Sequence, residues 1–171
     1  MFGSGAAPPE DLERARALGR ALAEAGYGIL NGGYGGTMEA TAAGAKEAGG
    51  EALGITCAAF SRSGPNPHLD GVVEAPTLIE RMGELIDRAA GYVVLPGGNG
   101  TLAELASTWE HLRKGLLEPR PLVVWERPWR RIVAVLEETP YLRGDPAPIV
   151  WVSEVDEAVA AIRERVPADG P

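Results

Sequence analysis

Apolar runs of strand length alternate along this chain with stretches of helical period, and that alternation narrows the fold more than any single motif. Tyr27 to Asn31, Glu51 to Cys57, Tyr92 to Leu95, Leu122 to Trp125 and Ile149 to Val152 read as strands, and Val72-Val73 begins a shorter one. Pro9 to Ala25, Gly36 to Ala48, Thr77 to Ala89, Thr101 to Leu117 and Trp129 to Glu137 read as helices. Thr77 is the expected cap of its helix, and Ser153 with Asp156 forms the expected capping box of a closing one. Strands that alternate with helices pair in parallel, because each crossover must climb back over the sheet. The expectation is an α/β fold, a Rossmann-like doubly wound parallel sheet with helices on both faces, in one domain over residues 1–171.

Only Met1 and Phe2 precede Gly3-Ser4-Gly5, which reads as the turn after a first strand. That strand is central in a doubly wound sheet, so it is either very short or begins upstream of residue 1. The N-terminus has no basic region or apolar run of signal-peptide type. No stretch approaches the roughly eighteen apolar residues of a membrane span. A cytoplasmic location is the expectation. The net charge of −8 argues against nucleic acid and anionic membranes as partners, both of which need a basic field. The single cysteine, Cys57, has no metal-ligand spacing around it and reads as a buried apolar residue. No cofactor or metal is implied.

Ligands of open parallel sheets sit at the carboxyl ends of the strands. Three glycine turns fall there: Gly3-Ser4-Gly5, Gly32-Gly33-Tyr34-Gly35-Gly36, and Pro96-Gly97-Gly98-Asn99-Gly100-Thr101. In the third, glycines allow close approach of a ligand to the backbone, and the following helix points free N–H groups at the turn. A phosphorylated ligand suits it; a turn without a ligand is the plainer alternative. Arg81 lies at the edge of the apolar stripe Leu78, Ile79, Met82, Leu85, Ile86 and Ala89. Glu104 lies at the edge of the stripe Leu102, Leu105, Trp109 and Leu112, one turn beyond Thr101. A carboxylate near a phosphate needs a task or a cationic partner, or else serves only the helix dipole.

The run Pro96 to Glu104 resembles the PGGxGTxxE signature of the LOG (Lonely Guy) phosphoribohydrolases. Arg81 matches the family's upstream arginine, Gly3-Ser4 its first turn, and Gly32 to Met38 its GGxxGxM turn. The resemblance implies hydrolysis of the N-glycosidic bond of a purine nucleoside 5′-monophosphate, cytokinin-type or AMP-like, to free base and ribose 5-phosphate. It implies Arg81 and Glu104 as catalytic residues. It implies Gly97, Gly98, Asn99, Gly100, Thr101, Ser4, Gly33 and Met38 as the substrate- and phosphate-binding set, and a homodimer or higher homo-oligomer. Leu116, Leu117, Trp125 and Trp129 are the apolar residues expected to be left over for such an interface.

Three stretches depart from the family pattern. Leu78-Ile79-Glu80-Arg81-Met82 stands where the family has Met-His-x-Arg-Lys, Glu110-His111 fall on its Thr-Trp pair, and Glu39 stands where it has glycine. The alternative is therefore a binding protein on the same scaffold, such as a carrier of molybdenum cofactor or a nucleotide. The family's older description as lysine decarboxylases does not fit. A pyridoxal-phosphate enzyme needs a Schiff-base lysine, and Lys46 and Lys114 both lie on polar helices away from the glycine turns.

Overall fold

The computed structural model describes residues 1–60, 64–142 and 149–168. In chain order the elements are α1 (Pro9–Glu24), β1 (Ile29–Asn31), α2 (Thr37–Glu47), β2 (Ala52–Cys57), β3 (Gly71–Ala75) and α3 (Leu78–Asp87). There follow β4 (Tyr92–Val94), α4 (Asn99–Arg113), β5 (Leu122–Trp125), α5 (Glu126–Glu137), β6 (Ile149–Val152) and α6 (Val155–Arg163).

Among the described residues every strand pair is parallel, in the orders β1-β2-β3 and β4-β5-β6. The first two residues join these halves. Phe2 bridges to Val94, with its N–H on the Val93 carbonyl and its own carbonyl receiving the Leu95 N–H, both at 2.9 Å. On the other side the Met1 amino group donates to the Leu30 carbonyl at 2.8 Å. Residues 1–2 thus occupy the centre of a doubly wound arrangement. The order reverses there, which opens a crevice between the first turn and the end of β4.

Side chains alternate across the sheet, so each central strand feeds two cores. Val93, Leu95, Val123 and Trp125 pack with Leu18, Leu22, Ala158 and Ile162 under α1, α2 and α6. Tyr92, Val94, Leu122 and Val124 pack with Leu85, Ile86, Leu105 and Trp129 under α3, α4 and α5. Burial on both faces explains why β4 and β5 read as unbroken apolar runs. On the first face α1 and α2 nearly touch backbone to backbone: a Cβ on Gly19 would lie 2.0 Å from the Thr41 carbonyl oxygen, and one on Gly44 1.9 Å from that of Arg16.

Several expectations shift. The helix after the third glycine turn begins at Asn99 rather than Thr101 and ends at Arg113. The capping box of α6 is Glu154 with Glu157, one residue later than Ser153 with Asp156, because the helix starts at Val155. Trp129 donates its ring N–H to the Leu95 carbonyl at 2.9 Å, and Trp125 and Trp129 are both core. Of the four residues expected on an interface, only Leu116 is exposed. Cys57 and Trp109 are buried as expected. Among the described residues no helix is long and apolar enough to cross a membrane.

Candidate functional site

The three glycine turns meet at the crevice, and two threonines lace them together. Thr37, at the start of α2, accepts the Ser4 N–H on Oγ1 at 2.9 Å and donates its own N–H to the Ser4 carbonyl at 2.9 Å. Thr101, in the first turn of α4, donates its hydroxyl to the Gly3 carbonyl at 2.9 Å. The approach is too close for side chains. Gly36 has a φ of 67°, and a Cβ there would lie 2.3 Å from the Ser4 carbonyl oxygen. The second turn is shaped from below by buried Asn31, whose Oδ1 accepts the Gly33 N–H at 2.8 Å and whose amide donates to the Met38 carbonyl at 2.8 Å.

Gly98 precedes α4 without capping it through a side chain, so the first-turn N–H groups at Asn99, Gly100 and Thr101 have no helical acceptor. A Cβ at Gly98 or Gly100 would meet nothing within 4 Å, so this edge stands open. Free N–H groups together with the positive end of the helix dipole suit an anion. With its hydroxyl proton directed to Gly3, Thr101 offers a ligand its backbone N–H rather than a side-chain donor.

Glu104 lies one turn further along α4, its side chain only 13% exposed. Burial raises its carboxyl to about 7, against the opposing pull of Arg81 and, more weakly, of the Met1 amino group. Arg81 comes from α3. The sequence put it at the edge of an apolar stripe, but it is buried while Leu78 and Ile79 of that stripe are exposed at the cleft. The reason is hydrogen bonding. Its Nε donates to the Ile55 carbonyl, within β2, at 2.7 Å and Nη2 to the Gly32 carbonyl, just after β1, at 3.0 Å. The remaining nitrogen, Nη1, lies 3.8 Å from Glu104 Oε1, an ion pair without a direct hydrogen bond.

These groups line one cleft of about 350 Å³. Of the residues singled out in the sequence, Arg81, Glu104, Ser4, Met38, Gly98, Gly100 and Thr101 line it. Gly97, Asn99 and Gly33 do not: Gly97 packs on Thr101, Gly33 packs on Gly54 and Thr56, and Asn99 is exposed at the start of α4. Tyr34 and Phe60 also line the cleft. Sequence reasoning passed over both; the signal available was one aromatic residue inside an otherwise glycine turn. Glu39 belongs to a separate hollow of about 310 Å³ between α1 and α2. Lys46 pairs with Asp70 at 2.6 Å and Lys114 faces Glu110, both outside the cleft. His111 is half-buried, its Nδ1 2.7 Å from the Ser107 carbonyl.

Residues 1–120, which supply every one of these groups, match the SLOG cluster4 family. The chain belongs to that family. The resemblance to LOG proteins is borne out by two relatives named cytokinin riboside 5′-monophosphate phosphoribohydrolase. The one from Mycobacterium marinum is 32% identical over 162 residues, covering 90% of this chain and 86% of the relative. The one from Mycobacterium tuberculosis is 33% identical over 122 residues, 70% of this chain and 64% of the relative. Solved structures share the fold. The X-ray structure of TM1055, a structural-genomics target, is 29% identical with a TM-score of 0.74, covering 95% of both chains. The molybdenum cofactor carrier protein of Chlamydomonas reinhardtii is 22% identical with a TM-score of 0.73, covering 96% of this chain and 93% of that one.

Proposed function

We propose that this SLOG-family cleft hydrolyses the N-glycosidic bond of a purine nucleoside 5′-monophosphate, giving free base and ribose 5-phosphate. The observation that carries the reading is the Arg81–Glu104 pair one helical turn below the free N–H groups of α4. In this reading those N–H groups, at Gly100 and Thr101 above all, hold the 5′-phosphate. The ribose then extends along the helix, with its anomeric carbon at Glu104. A carboxyl at about 7 is ionised in a large fraction of molecules at neutral pH and serves as a base poised near its working pH. It stabilises the oxocarbenium-like centre as the C1′–N bond breaks and takes a proton from the water that bonds to C1′. The departing base keeps the bonding pair and is protonated from solvent. Arg81, held along one edge by two carbonyls, keeps Glu104 partly ionised.

Two observations keep a carrier reading in view. The fold is shared with a molybdenum cofactor carrier, and Ile79 and Met82 bring no polar side chain to the α3 wall of the cleft. Base release from a nucleotide panel, AMP first, separates the two. Cleavage by wild type and its loss in Glu104→Gln, with nucleotide affinity kept, support the hydrolase. Binding without cleavage of any nucleotide assigns the cleft to a carrier.

A further inference from the structure

The Arg81 guanidinium lies against two aromatic rings that the reaction chemistry does not call for. Its Cζ is 5.6 Å from the ring centroid of Tyr34 and 5.8 Å from that of Phe60. The rings themselves are 5.9 Å apart and tilted by 49°. The three groups make a nearly equilateral triangle, inside the distance of about 6 Å at which a ring face attracts a cation. Both rings are firmly placed. The Tyr34 hydroxyl donates to the Cys57 carbonyl at 3.3 Å and accepts the Cys57 N–H at 2.8 Å. Phe60 sits at the turn closed by its own N–H on that same carbonyl, at 3.1 Å. Asn66, also buried, donates its N–H to the Gly33 carbonyl at 2.9 Å and its amide to the Tyr34 carbonyl at 3.1 Å. The turn after β1 and the segment after β2 are thereby braced together, and each presents one ring to Arg81.

We infer that Tyr34 and Phe60 are positioning residues, holding the Arg81 charge at its distance from Glu104; only the catalytic consequence rests on the hydrolase reading. The bonds from Nε and Nη2 fix one edge of the guanidinium, about which the plane can still tilt. Nη1 has no hydrogen bond to Glu104 at 3.8 Å, so the pair does not set its own geometry. The rings supply the missing restraint. Two basic groups face Glu104: Arg81 from α3, and the Met1 amino group from the central bridge, which burial lowers to about 6 and so leaves mostly neutral where Glu104 titrates. Only the first touches the rings.

The test removes each ring in the full chain with Phe60→Leu and Tyr34→Leu, and keeps it with Phe60→Tyr and Tyr34→Phe. The titration of Glu104 is followed by carbon NMR of labelled glutamate, assigned with Glu104→Gln, beside the pH profile of kcat/KM on AMP. Ring removal should raise the Glu104 midpoint by about one pH unit, since the cation that favours its ionised form is no longer held. The acid-side rise of the profile should move up in pH with it, so that kcat at pH 7 falls about fivefold with KM nearly unchanged. Phe60→Tyr should keep the wild-type Glu104 midpoint, and Tyr34→Phe, which keeps its ring but loses the hydroxyl bonds to Cys57, should stay closer to it than Tyr34→Leu does. If the rings were only a wall, their loss would admit water, and a hydrated carboxyl titrates lower. A midpoint that falls or stays fixed in the leucine variants overturns the inference. Phe60, half-buried on a surface segment, decides the matter if Tyr34→Leu does not fold. If wild type cleaves no nucleotide, the hydrolase reading fails while the NMR midpoint still judges the rings.

Discussion

Glu104→Gln should stabilise the protein above neutral pH and leave it nearly unchanged below pH 5. Burial raises the Glu104 carboxyl from 4.5 to about 7, so the folded chain binds this proton more tightly than the unfolded chain does. The stability that follows is fully present below about 4.5 and is lost as pH climbs through about 7. At roughly 1.4 kcal/mol per pH unit, full ionisation costs the fold about 3 kcal/mol. Glutamine is neutral throughout and escapes that loss. In a chain of 171 residues, about 3 kcal/mol corresponds to a Tm change on the order of 5–10 °C. Calorimetric scans of both proteins at intervals from pH 4.5 to 8.5 give the comparison. The expected result is a gap of roughly 5 °C or more at pH 8.5 that closes to about 1 °C at pH 4.5. A gap of the same size at every pH, or one that widens towards acid, would refute the reasoning. Turnover should move the other way: kcat on a cleaved nucleotide should fall about a hundredfold or more while calorimetric affinity is kept, because the carboxylate acts on charge that arises only as the bond breaks.

Gly100→Val should lower nucleotide affinity by about a hundredfold or more with Tm nearly unchanged, because a Cβ there faces open space at the start of α4; full affinity in the folded variant would remove the phosphate subsite. Gly19→Ala should cost about 1–3 kcal/mol in urea unfolding, since its Cβ meets the Thr41 carbonyl oxygen and the two helices must part; an unchanged midpoint would contradict the close packing. Light scattering at micromolar concentration should give the mass of a homodimer, for which Leu116, Val135 and Tyr141 supply exposed apolar surface, and a monomeric mass would dispose of that proposal.

The parts of the fold legible in the sequence are those set by local period and local chemistry. β5 and β6 stand where their apolar runs stand, and Thr77 caps α3 by accepting the Glu80 N–H. The glycine signature likewise marks the start of α4 and, one turn on, Glu104. What escaped depends on which distant groups meet. Leu78 and Ile79 continue a sound helical stripe, but that stripe runs past the edge of the sheet and ends facing the cleft. Arg81 is buried because carbonyls 26 and 49 residues away wait for it, and no period in α3 reports them. Thr101 looked like a ligand donor until Gly3, 98 residues earlier, claimed its proton. The capping box of α6 missed by one residue because Ser153, Glu154, Asp156 and Glu157 offer two overlapping boxes, and only packing chooses between them.

The bonds from Arg81 to the Ile55 and Gly32 carbonyls change what this residue can tell an observer. It splints β2 to the turn after β1, and without it two buried acceptors lose their partners, at about 1–3 kcal/mol each. A descendant that had given up catalysis would keep Arg81 for the sake of its sheet. Its presence in a related chain is therefore no witness to activity. Glu104 is the opposite kind of residue, one whose ionised form weakens the fold that carries it. Drift alone would replace such a carboxylate, so under the proposed hydrolysis the glutamate, not the arginine, is the position whose loss would accompany the loss of turnover.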